Sequence, residues 1–132
     1  MIKELAQYID NETEFSLGID LFAGFRPGNA PDACIAILEP AGGVPDFYNT
    51  DYEQKPVQIV SRATNYYTAR AQINKIYGLL HGMTGITLPV VVTGDEFFVN
   101  TAEGVSAPYY IGMDDKGLFE FSANIVLRYQ NA

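Results

Sequence analysis

A chain of 132 residues, 48% of them apolar, with a mean hydropathy of +0.01, has the size and composition of one globular domain spanning residues 1–132. Sixteen acidic residues against eight basic ones give a net charge of −8, which argues against gripping the outside of a nucleic acid, where clustered Lys and Arg are required. No apolar run approaches the roughly 18 residues of a membrane span. The start, Met1-Ile2-Lys3-Glu4-Leu5, lacks the pattern of a secretory signal. The lone Cys34 has no partner for an internal disulfide, so a cytoplasmic place of synthesis is expected, with this thiol buried in a strand.

In chain order, Ile2, Leu5, Ala6 and Ile9 fall at helical spacing, with Lys3, Glu4, Gln7 and Asp10 off that face. Leu17–Phe25 alternates as a strand, and Ala33–Leu38 is a short apolar strand stopped by Glu39-Pro40. The turn cluster at Pro27–Asp32 predicts that these two form a hairpin. From Ala41 to Lys55 no period is usable. This stretch carries Phe47, Tyr48 and Tyr52 among Asp46, Asp51 and Glu53, and an irregular segment so rich in aromatics is expected to dock on something.

Pro56–Arg62 reads as a strand with Val57, Ile59 and Ser61 on one side and Gln58, Val60 and Arg62 on the other. Thr64 or Asn65 should cap a long helix whose apolar stripe is Tyr66, Ala69, Ile73, Ile76, Tyr77 and Leu80. His81 and Gly82 close it, as a helix-terminal cation and a C′ glycine, and Gly78 suggests close approach to a strand. Ile86–Thr93 is strand-like, with Pro89 favouring an edge or a bulge. Gly94-Asp95 turns the chain, Glu96–Asn100 returns, and Thr101–Ala107 is irregular.

The clearest signal comes last. Phe119, Phe121, Ala123, Ile125, Leu127 and Tyr129 alternate with mostly polar residues, the pattern of a half-buried strand near the centre of a sheet. Asp114-Asp115-Lys116-Gly117 is hairpin chemistry, so Pro108–Met113 should pair antiparallel with it. The fold expected is α+β: a single, mostly antiparallel (mixed) β-sheet with two helices packed mainly on one face.

Chemical motifs are few. His81 stands without companions at metal-ligand spacing, and no nucleophile sits in a strained turn motif. Gly42-Gly43 lacks the Lys and Ser/Thr of a phosphate loop. Asp114-Asp115 begins like a calcium loop but lacks the later acid. Arg62 and Arg128 are read as exposed charges. No catalytic, cofactor-binding or metal-binding residue is expected, and no cofactor. An acidic, aromatic-rich and site-poor domain points to assembly, with Phe47, Tyr48, Asp51, Tyr52 and Glu53 as the partner-binding candidates.

Two longer stretches carry a resemblance. Pro56-Val57-Gln58-Ile59-Val60-Ser61-Arg62, followed by a helix with Tyr67, Ala69, Ala71 and Ile76-Tyr77-Gly78-Leu79-Leu80, is one. The run Ala107–Asn124, with its Pro–aromatic strand, Gly-x-Asp turn and long closing strand, is the other. With the short N-terminal helix before them, they resemble the minor capsid and tail-terminator proteins of bacteriophages across nearly the whole chain.

The resemblance implies a structural virion protein rather than an enzyme. It implies a ring, as a hexamer, that is assembled in the host cytoplasm, ends growth of the tail tube and joins tail to head. The implied partners are copies of itself, the tail-tube protein and a head-completion or connector protein. No membrane is implied, and DNA enters only as cargo through an acid-lined channel. It also implies that the 41–55 loop reaches toward neighbours, so that removing Phe47–Tyr52 should leave a folded domain that no longer assembles. A different head–tail connector or tube-like subunit is the near alternative. A small-ligand-binding or enzymatic α+β domain, with a deep polar cavity, is the distant one.

Overall fold

The computed structural model describes residues 1–49 and 51–131. Thr50, inside the irregular stretch 41–55, and Ala132, at the end of the domain 1–132, lie outside the described residues. The elements are α1 (Ile2–Glu12), β1 (Leu21–Ala23), β2 (Cys34–Leu38), β3 (Val44–Pro45), β4 (Tyr52–Ala63), α2 (Tyr66–Leu80), β5 (Thr84–Thr87), β6 (Phe97–Met113) and β7 (Phe119–Asn131). The strands form one seven-stranded mixed sheet in the order β1-β2-β4-β7-β6-β5, with β3 also paired to β4. The α+β class, the single sheet and the central position of the last strand are as the sequence predicts.

β7 owes its place to its alternation. Phe121, Ala123, Ile125, Leu127 and Tyr129 all point into the core, where they meet Ile35, Ile37, Val57 and Ile59 of the neighbouring strands. Ile73, Ile76 and Leu80 of α2, with Leu5 and Ile9 of α1, cover the same face. Each fully buried aliphatic side chain contributes about 1.5–3 kcal/mol. Asn65 caps α2, its side-chain oxygen accepting from the backbone N–H groups of Tyr67 (2.9 Å) and Thr68 (3.3 Å).

Three long strands, β4, β7 and β6, run the length of the sheet. At the end holding the β6–β7 turn, they are flanked by β2 and β1 on one side only. At the opposite end they are flanked by β3 on one side and β5 on the other. The first is here termed the hairpin end and the second the tip.

Several expectations are corrected. β1 and β2 pair in parallel (Leu21↔Ile35, Ala23↔Ile37), not as a hairpin, and β1 is confined to Leu21–Ala23. Residues 24–33 travel back along the sheet instead of turning tightly. Arg62 holds their return: its guanidinium donates to the carbonyls of Ala30 (3.3 Å), Pro31 (2.8 Å) and Asp32 (3.4 Å). Arg62 is therefore 6% exposed, a buried clamp rather than a surface charge.

β4 begins at Tyr52, not at Pro56, because the end of β7 supplies its partners, Tyr52↔Gln130 and Glu53↔Tyr129. The irregular stretch thus shortens, and it contains the small strand β3. β5 spans Thr84–Thr87 rather than Ile86–Thr93, and Pro89 falls beyond it, where no ladder bond is lost. β6 is continuous from Phe97 to Met113 where two strands and an irregular link are predicted. Bulges at Val99/Thr101, Gly104/Ser106, Ser106/Tyr109 and Tyr110/Gly112 shift its phase and hide its period.

On the helices, Glu4 is buried beside the α-amino group of Met1 (3.6 Å) instead of facing outward. Gly78 faces open space, and the close approach occurs at Gly104, where a Cβ would collide with the ring and hydroxyl of Tyr77. His81, at the end of α2, is tied to β6: its Nδ1 accepts a hydrogen bond from the backbone N–H of Gly104 (2.8 Å).

Candidate interaction surface

Several of the ionisable side chains pair with one another. Arg26 pairs with Glu120 (3.2 Å), Lys55 with Glu39 (3.1 Å), Arg62 with Asp114 (3.6 Å), Arg128 with Glu103 (3.0 Å) and Lys75 with Glu14. Arg128 thus bridges to an acid of its own chain. A recess of about 520 Å³ lies between α2 and the segment that follows α1. Its only charged lining groups are Glu14 and Lys75, which bind each other. Burial pushes the Cys34 thiol up, away from the reactive thiolate, although Arg62 and Arg26 pull the other way. Among the described residues no cluster of His, Cys, Asp and Glu is arranged to hold a metal ion.

The tip is different. There the chain turns between β3 and β4 and between β5 and β6, and the ends of β4 and β7 meet. Asp46 organises the first turn by accepting from the backbone N–H groups of Tyr48 (2.9 Å) and Asn49 (3.2 Å). That turn throws the side chains of Phe47 and Tyr48 outward, 87% and 94% exposed, in an edge-to-face pair with centroids 5.3 Å apart. Val90, Val91 and Val92 are exposed in the second turn, followed by Asp95 and Glu96. Asp51, Asp95 and Glu96 enter no ion pair among the described residues. The tip is thus apolar and acidic together.

The five partner-binding candidates separate into two groups. Phe47, Tyr48 and Asp51 lie in the turn, and the Asp51 carbonyl accepts from the backbone N–H of Asn131 (3.0 Å). Tyr52 and Glu53 belong to β4. Glu53 accepts a hydrogen bond from the Tyr129 hydroxyl (2.9 Å) and lies 3.9 Å from the Lys55 ammonium. Burial first, and then this bond to Glu53, push the Tyr129 phenol well above the ordinary tyrosine range.

A second surface was not singled out in the sequence. β5 covers the outer edge of β6 only as far as Thr101. Ala102 then exchanges backbone bonds with Gly82 and Met83, and the N–H of Gly104 goes to His81. From Val105 to Met113 no described strand lies on that side. Val105, Tyr109, Tyr110, Ile111 and Met113 are all exposed there, and the run contains no charged residue. That absence of charge, in an acidic chain, is the signal that could have identified it.

Compared with known proteins, residues 8–131 match the family model described as bacteriophage tail terminator protein. No curated protein matches the chain.

Proposed function

The chain belongs to the bacteriophage tail terminator family, and on that premise we propose that it forms a ring, as a hexamer, that ends growth of the tail tube and joins the tail to the head. Membership makes it a structural component of the virion, which points away from catalysis. The ring assembles in the host cytoplasm, its partners being copies of itself, the tail-tube protein and a head-completion or connector protein. DNA passes through its channel without being bound, repelled by carboxylates, of which the net charge of −8 leaves a surplus.

The observation that carries this reading is the pair Phe47 and Tyr48, held out from the tip and left exposed. Such aromatics dominate the energy of an interface once desolvated. Tyr52 stands beside them at the start of β4, and Asp51 with the acidic groups around it orients the approach of a partner. Because Tyr52 pairs with Gln130 in the ladder, the double substitution F47A/Y48A is a cleaner test than removing the turn.

The variant should keep the wild-type melting curve to within about 0.5 kcal/mol, since both side chains are solvent-exposed. It should fail to form rings or to cap tubes in electron micrographs of mixtures with the tail-tube protein. Capped tubes of normal length would show that these two residues are not the anchor. Incorporation of the chain along the tube, instead of at its end, would make it a tube-like subunit.

A further inference from the structure

We propose that the open edge of β6, Val105–Met113, docks against the β1 edge of a second copy of this chain, side chain into recess, as the lateral contact of the ring; this rests on the self-assembly reading above. At the hairpin end the sheet has five strands, and its two outer members are β1 and the second half of β6. The rows run level across it, from Leu21 through Ile35, Ser61 and Phe121 to Tyr110. The two edges therefore stand at one height on opposite sides of the molecule. A contact between unlike, opposite surfaces is heterologous, and repeated with rotation it closes a ring, which a self-paired surface cannot do.

The surfaces match in chemistry. The β6 edge offers Val105, Tyr109, Ile111 and Met113 with no charge in the run. Edges left free in solution are ordinarily guarded by charged side chains, and this one is not. The β1 edge offers a recess of about 260 Å³ lined by Leu17, Phe22, Phe25 and Pro27, with Lys3 at its margin. Phe25 and the nearby Ile19 are both 69% exposed.

Charge agrees as well. Lys3 enters no ion pair among the described residues, and Asp115, two residues beyond Met113, enters none either. Continuous strand pairing is disfavoured, because the backbone of Leu21 is already bonded to Ser16 and Gly18. The bulges and Pro108 break the β6 ladder on the other side. The contact is one of side chains in a pocket.

The test places the photo-crosslinking residue p-benzoylphenylalanine at Tyr109 and mixes this chain with isotope-labelled wild type at high concentration. Mapping the inter-chain adducts by mass spectrometry should place them within residues 3–27. Phe25→Lys, at an exposed position that leaves the melting curve unchanged, should reduce their yield by about tenfold or more. Rings in micrographs with adducts elsewhere, or adducts insensitive to Phe25→Lys, would overturn this pairing and leave the ring standing. No inter-chain adduct and no ring at any concentration would overturn both.

Discussion

The guanidinium of Arg62 lies 3.6 Å from the carboxylate of Asp114, joining the end of β4 to the turn between β6 and β7. The same guanidinium binds three carbonyls of the returning segment between β1 and β2. Replacing it removes these bonds from half-buried and exposed acceptors, which water can partly satisfy. Arg62→Met should lower the unfolding free energy by about 1–2 kcal/mol, measured as a shift of the urea midpoint. Arg62→Lys should recover only part of it, since an ammonium cannot span the same fork of acceptors.

Asp114 itself predicts a pH dependence. Backbone N–H groups of Leu118 and Lys116, with Arg62 behind them, hold its carboxyl below the usual aspartate range. A carboxyl whose folded value is depressed contributes stability above its unfolded value, and that contribution is lost as pH falls through the folded one. The melting temperature should therefore drop on acidification below about pH 4. D114N should show a shallower acid limb; an unchanged limb would mean that Asp114 is not a source of it.

Tyr129 should ionise only well above the ordinary tyrosine range, because burial and Glu53 both oppose its phenolate. A raised folded value gives stability that is complete below the unfolded value of about 10 and fades as pH rises through the folded one. Ultraviolet titration of the phenolate band in wild type and Y129F identifies it as the difference between the two curves. Y129F should also cost about 1 kcal/mol for the lost hydrogen bond.

Gly104 sits under Tyr77, whose ring stacks on His81 with centroids 5.2 Å apart and an angle of 7°. The tyrosine cannot swing aside without abandoning that stack. Gly104→Ala should destabilise by about 1–3 kcal/mol, and pairing it with Tyr77→Phe, which removes the hydroxyl in the way, should restore part of the loss. Thermal melts of the two variants decide it.

The cap of α2 is a simpler case. Asn65→Ala removes the acceptor for two backbone N–H groups and should cost about 1 kcal/mol. A loss of helical circular dichroism signal confined to the pre-transition baseline would locate the effect in the first turn.

Elements decided by local pattern were legible in the sequence. β7 alternates because one of its faces is buried along its whole length, and α2 shows its stripe for the same reason. β6 was not, because each bulge reverses which face the next residue occupies, so Val99 and Ala102 are both buried while standing three apart. The parallel pairing of β1 with β2 was hidden for another reason. Pro27–Asp32 has turn composition, and what redirects it is Arg62, which lies thirty residues or more downstream. Phe47 and Tyr48 were visible as aromatics with no periodic reason to be there. That Glu53 would be committed to Tyr129 follows only from the register of β4 on β7.

The length of β4, β6 and β7 has a mechanical side. Any load applied between the tip and the hairpin end passes along these three covalent backbones. To part them it must shear two ladders along their length, many bonds at once, instead of peeling bonds singly. The subunit would be stiffest along the direction of its strands. Pulled across them, it would open first at its short outer strands, β1, β3 and β5.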